Sequence, residues 1–116
     1  MATAVLNRWQ MVGGRTGGTV SALVFSPNFA NDRIVFAGSL AGVHRSDDGG
    51  KTWRSVNDGI TSPFVEALAI SPNFAADRTI YAGARGGGVF RSTEAGREWH
   101  PLEFWAGREN VTALAI

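Results

Sequence analysis

Two stretches of the chain decide its fold: Val20–Trp53, VSALVFSPNFANDRIVFAGSLAGVHRSDDGGKTW, and Val65–Trp99, VEALAISPNFAADRTIYAGARGGGVFRSTEAGREW. They align at an offset of 45, and one extra glycine in Gly86-Gly87-Gly88 raises the offset to 46, so that Val43 matches Val89 and Trp53 matches Trp99. Eighteen positions are identical, which makes the stretches copies of one structural unit. Working outward, Val111–Ile116 (VTALAI) repeats the opening of a unit, and Arg8–Trp9 matches the end of one.

Each unit reads as four short strands. Strand A covers Val20–Ser26 and Val65–Ser71, with Val111–Ile116 as a third copy. Strand B covers Ile34–Gly38 and Thr79–Gly83, and strand C covers Gly42–Ser46 and Val89–Ser92. Strand D covers Thr52–Val56 and Glu98–Glu103, with Arg8–Val12 as an orphan copy. These runs are rich in Val, Ile, Phe, Tyr and Trp and are punctuated by Gly, Pro, Asn and Asp. No stretch carries helical periodicity without a Gly or Pro break, so no helix of consequence is expected. Four antiparallel strands per 45-residue unit is the period of a β-propeller blade. Strand A fits the innermost position: it is apolar nearly throughout, with Ala22, Ala67 and Ala113 on one face and Leu23, Leu68 and Leu114 on the other. The expected fold is all-β. Two complete four-stranded antiparallel blades (20–64 and 65–110) are flanked by a lone outer strand of a preceding blade (1–19) and a lone inner strand of a following one (111–116).

Composition agrees. The 116 residues are 44% hydrophobic and hold 15 glycines, which suits a packed core joined by tight turns. There is no cysteine, which excludes disulfides, thiol catalysis and thiolate metal sites. A net charge of +1 argues against a nucleic-acid footprint or a polybasic membrane patch. No apolar run reaches the ~18 residues of a membrane span. The start, MATAVLNRWQM, lacks a signal-peptide core, so a cytoplasmic location is the default, with export the alternative if a leader was removed.

Between strands C and D lies Ser46-Asp47-Asp48-Gly49-Gly50-Lys51-Thr52-Trp53, the pattern Ser-x-Asp-x-Gly-x-Thr-Trp. It resembles the Asp-box of BNR-type repeats, found in propellers of sialidases, sortilin-like receptors, xyloglucan hydrolases and photosystem assembly factors. The resemblance implies a repeat class, not an activity, because the motif recurs on proteins of unrelated function. The expected role of its residues, Ser46, Asp48, Gly50, Thr52 and Trp53, is structural. Gly50 supplies a left-handed residue, Asp48 accepts bonds from the turn's own N–H groups, and Trp53 packs between strands. In the second copy Ser92, Gly96 and Trp99 are kept, but Glu94 stands for the Asp and Glu98 for the Thr, so this turn should be less rigid. The other shared string, Ser-Pro-Asn-Phe-Ala-x-Asp-Arg, joins A to B. There Asp32 and Asp77 should cap the turn, Phe29 and Phe74 fold under it, and Arg33 and Arg78 pair with acidic side chains.

Alternation places the A–B and C–D turns on one side and the B–C and D–A connections on the other. The second side differs between units, and variable loops on a rigid scaffold are where binding residues gather. The candidates there are Arg15, Asp58, Arg85, Trp105, Arg108 and Glu109, with Trp105 and Arg108 the best pair because aromatic and Arg residues dominate contact hot spots. His44, matched by Phe90, reads as a packed strand residue and His100 as a surface one, neither with a Ser or carboxylate partner implied by spacing. No catalytic, cofactor-binding or metal-binding constellation is legible. Two blades cannot shield their own flanks, so self-association or a larger protein assembly is the expected partner. The function expected is a non-catalytic interaction or assembly scaffold. The alternative is a fragment of a glycoside hydrolase propeller, sialidase- or xyloglucan-hydrolase-like, although the Arg-Ile-Pro signature that sialidases would require is missing.

Overall fold

A computed structural model describes residues 20–102. The segments 1–19 and 103–116, and with them the orphan outer strand, the third inner strand and the candidates Arg15, Trp105, Arg108 and Glu109, lie outside the described residues. The elements run β1 (Val20–Phe25), α1 (Phe29–Asp32), β2 (Val35–Ser39), β3 (Gly42–Ser46), β4 (Arg54–Ser55), β5 (Val65–Ile70), α2 (Phe74–Asp77), β6 (Ile80–Ala84), β7 (Gly88–Ser92) and β8 (His100–Pro101). They form two four-stranded sheets, β1-β2-β3-β4 and β5-β6-β7-β8, with every neighbouring pair antiparallel. The pairing repeats between units: Val24 faces Phe36 in the first, and Ala69 faces Tyr81 in the second. A register irregularity also recurs, between Val20 and Ala22 and between Val65 and Ala67. It sets Ser21 and Glu66 apart from the ladder.

Three details depart from the sequence expectation. The A–B connections each close one helical turn, α1 and α2. Asn28 and Asn73 accept the first helical bonds through their carbonyls, and Arg33 and Arg78 end each turn in the left-handed region at φ 59° and 56°. A four-residue turn leaves no room for the apolar periodicity by which helices are read. Second, the outer strands shrink to two residues each. Thr52 gives its N–H to the Asp48 carboxylate rather than to a strand, and Pro101 has no N–H to give. Third, among the described residues no carboxylate pairs with Arg33 or Arg78. Their guanidiniums lie 5.6 Å over the rings of Phe29 and Phe74, a cation–π arrangement.

The two sheets stack face to face through their inner strands, and the core lies between them. Trp99, Phe36, Phe74, Phe90, Ile80, Val43 and Val65 are its largest fully buried members. Phe36 meets Phe74 edge-on at 6.0 Å between centroids, a favoured aromatic geometry. Gly38 is needed here, because a side chain at that position would press on Val65.

Candidate functional site

The C–D turn of the first unit is a closed hydrogen-bond circuit. Ser46 Oγ donates to Asp48 Oδ1 at 2.8 Å and accepts from the Gly50 N–H at 2.8 Å. Asp48 in turn accepts from the Thr52 N–H at 2.9 Å and the Thr52 hydroxyl at 2.6 Å. Trp53 Nε1 donates to the Gly50 carbonyl at 2.9 Å. Gly49 and Gly50 both take positive φ, 78° and 100°. The bonds from Thr52, then from Ser46, hold the Asp48 carboxyl far below the usual carboxylate range, against a small desolvation penalty.

The second turn is sparser. Ser92 Oγ accepts from the Glu94 and Gly96 N–H groups at 3.2 and 2.9 Å, and the longer Glu94 carboxylate takes no comparable part. Ala95 stands where the first unit has Gly49 and is held at φ 59°. Each C–D turn leans on its own A–B turn, with Gly49 N–H donating to the Arg33 carbonyl and Ala95 N–H to that of Arg78. The A–B turns are themselves capped as expected: Asp32 accepts from Ser26 Oγ and the Ile34 N–H, and Asp77 from Ser71 Oγ and the Thr79 N–H.

Beside these turns a groove of about 340 Å³ opens between the units, lined by Arg45, Arg54, Ser55 and Asp58 from the first and Glu94 and Arg97 from the second, among others. Arg45 and Arg54 face each other across β3 and β4, an unfavourable like-charge pair. Asp47 relieves it, accepting from Arg45 Nε at 2.7 Å and from Arg54 at 3.1 Å. Burial works to raise the Asp47 pKa, but the bonds and charges of the two guanidiniums outweigh it and lower it. Arg45 also reaches across to donate to the Ala95 carbonyl at 2.9 Å, with its guanidinium 5.8 Å from the Phe36 ring. The spacing Arg-x-Asp followed by Arg on the next strand is the signal from which this cluster could have been found.

The opposite side holds the D–A connection and the β6–β7 hairpin. The Arg85 N–H donates to the Phe64 carbonyl, and Ser62 Oγ to that of Arg85. Arg85 is exposed and bound through its guanidinium to Glu66. Asp58 is exposed as well, but its carbonyl accepts from the Trp99 N–H and it borders the groove. The two described candidates therefore sit in different surroundings, and no described bond joins them. Among the described residues, Phe64 and Leu40 are the exposed large apolar ones.

His44 is the packed strand residue its sequence position suggests, with two serine neighbours that spacing did not show. It is half-buried, with Nε2 at 3.3 Å from Ser39 Oγ and Nδ1 at 3.5 Å from Ser55 Oγ, and burial lowers its pKa. Ser39 is fully buried and already accepts from the Ala41 N–H, and among the described residues no carboxylate bonds to the imidazole. The arrangement packs a strand; it does not activate a nucleophile. His100 is exposed, with Glu98 at 4.0 Å. Among the described residues no group of three or more His, Cys, Asp or Glu could hold a metal, and no helix is long and apolar enough to cross a membrane.

A solved structure of an ancestral GH74 enzyme superposes on this geometry with a TM-score of 0.62 over 81% of the chain, at 21% identity. The two sheets are β-propeller blades. The match covers 14% of that enzyme, so the chain corresponds to a small part of its length. No family model and no curated protein matches the chain. In blade terms, the groove lies where the outer strand of blade 1 meets the C–D turn of blade 2. The Arg85–Glu66 pair lies where the inner strand of blade 2 meets its β6–β7 hairpin.

Proposed function

We propose that the chain is part of a BNR/Asp-box-type propeller and works as a non-catalytic interaction or assembly scaffold. The carrying observation is where the carboxylates go. Asp48 closes its own turn, Asp47 neutralises Arg45 and Arg54, Asp32 and Asp77 cap the helical turns, and Glu66 binds Arg85. Carboxylate oxygens that already accept from neighbouring N–H, hydroxyl and guanidinium groups are engaged within the fold and are not free to exchange a proton with a substrate. The candidate binding residues of this reading are Arg15, Asp58, Arg85, Trp105, Arg108 and Glu109. The purified chain should show no turnover of a panel of fluorogenic glycosides or of xyloglucan oligosaccharides. Clear turnover overturns the scaffold reading.

A second reading, part of a glycoside hydrolase propeller, draws on the likeness to the GH74 enzyme. It requires a carboxylate pair roughly 5–9 Å apart across a sugar. Asp58 and Glu94 are exposed carboxylates lining the groove, and Asp58 is the one among the sequence candidates. If hydrolysis is seen and Asp58→Asn abolishes it, this second reading replaces the first.

A further inference from the structure

The chain contains two Asp-Gly pairs, Asp48-Gly49 and Asp58-Gly59, and the fold treats them in opposite ways. An aspartate followed by glycine can react with its own backbone. The glycine nitrogen attacks the side-chain carboxyl carbon, water leaves, and a five-membered succinimide ring forms. Glycine permits this because no Cβ shields its nitrogen. Water then opens the ring at either carbonyl. One route restores aspartate, and the other leaves isoaspartate, whose main chain runs through the former side-chain carboxyl. One water leaves and one returns, so the mass is unchanged and no oxidant, reductant or cofactor is consumed.

At Asp48-Gly49 both reacting groups are engaged. Asp48 Oδ1 accepts from Ser46 Oγ and the Thr52 N–H, and Oδ2 from the Thr52 hydroxyl. The Gly49 N–H donates to the Arg33 carbonyl at 3.0 Å. The same bonds hold the Asp48 carboxyl ionised, and a carboxylate is a poor electrophile. Asp58-Gly59 instead lies at the tip of a turn closed by the Ile60 N–H on the Asn57 carbonyl at 2.9 Å, with Gly59 at φ +97°. Both residues are exposed. Among the described residues, neither the Asp58 carboxylate nor the Gly59 N–H has a hydrogen-bond partner.

We propose that Asp58-Gly59 is a site of spontaneous isoaspartate formation, and that this change loosens the seam between the blades. The pair is built into that seam through its backbone. The Asp58 carbonyl accepts from the Trp99 N–H at 2.8 Å, and Gly59 lies so close that a side chain there would run into the Trp99 carbonyl. Isoaspartate converts the carbonyl that receives the Trp99 bond into a pendant carboxylate and lengthens the main chain by one methylene. Gly59 then cannot keep both its place in the turn and its contact with Trp99. This chemistry needs neither the scaffold nor the hydrolase reading to hold.

The test ages the purified native chain warm at mildly acidic pH, beside the same chain unfolded in denaturant. Cleavage after Lys and Arg puts Asp48 and Asp58 on separate peptides. Isoaspartate is read on each by isoaspartyl methyltransferase labelling and by a retention shift without a mass change. In the unfolded chain both sites should convert at similar rates. In the native chain Asp58 should convert faster than Asp48 by about tenfold or more, since the Asp48 circuit must first open. Asp58→Asn, which forms the same ring by expelling ammonia, should convert faster still. Asp58→Glu, which would need a six-membered ring, should remain unmodified. Native protein enriched in isoaspartate should melt at a lower temperature than the unconverted fraction, whereas Asp58→Glu aged in parallel should keep its Tm.

Three outcomes overturn the proposal. One is a native Asp58 that stays unconverted once the unfolded chain has reacted. Another is a native Asp48 that keeps pace with Asp58. The third is a converted fraction that melts together with the unconverted one.

Discussion

At the residue scale, the two C–D turns are an internal comparison of Asp with Glu. Asp48 reaches back to its turn with one methylene and accepts from Thr52 twice, whereas Glu94 has one methylene more and Glu98 in place of the hydroxyl. Asp48→Ala should therefore lower Tm clearly more than Glu94→Ala, and equal shifts in thermal melts would contradict this account. The same circuit fixes a pH dependence. The folded-state pKa of Asp48 is depressed, so its contribution is fully present above the unfolded-state value of about 3.9 and is lost as pH falls through the lower folded value. Asp48→Asn should flatten the acid limb of a Tm-against-pH curve and leave its neutral region parallel to that of the unmodified protein. His44 acts with the same sense at higher pH. Burial lowers its folded pKa, so the stabilisation is complete above both values and begins to be lost as pH falls below about 6.5, the unfolded value. The turn was legible in the sequence because its chemistry is local. The neighbours of His44 were not, since Ser39 and Ser55 come from the strands on either side, and only the register shows that they converge.

At the scale of elements, strand positions were readable because the repeat presents each apolar run twice. The ends were less so. The outer strands are shorter than their apolar content suggests because the preceding turn takes the Thr52 N–H, and the helical turns hide inside a string that reads as loop. Ala95 is the clearest conflict between element and residue. The hairpin needs a left-handed residue there, and a non-glycine in that region costs about 1–2 kcal/mol. Gly49→Ala should cost about that much, since a Cβ at Gly49 has ordinary space, 3.8 Å from Phe29 Cζ. The reverse change, Ala95→Gly, relieves the strain but uncovers a buried methyl worth about 0.8 kcal/mol. Chemical denaturation should accordingly show a clear loss for the first variant and a change near zero for the second.

At the scale of the whole molecule, the largest fully buried side chain, Trp99, bonds from one blade to the other. Trp99 is fully buried, its indole N–H donates to the Val56 carbonyl at 2.8 Å, and its backbone N–H to that of Asp58 at 2.8 Å. Gly59 is shaped to it: a side chain there would run into the Trp99 carbonyl, and φ is +97°. Trp53, its repeat equivalent, is half-buried and bonds instead to Gly50 of its own turn. Sequence equivalence alone could not distinguish them, because the difference comes from the neighbour each one meets. In a repeat fold stability is approximately a sum of blade terms and interface terms. Trp99→Ala should remove about 3–5 kcal/mol through cavity formation and the loss of apolar burial, and leave the Val56 carbonyl unpaired. Because the loss falls on the interface, it should also uncouple the units, so that unfolding broadens into separable transitions by tryptophan fluorescence and far-UV circular dichroism. Trp53→Ala should cost less and keep the transition single, since the Trp99 interface survives. If both variants melt with the same midpoint and the same sharpness, Trp99 is not what couples the blades, and stability resides within each sheet instead of between them.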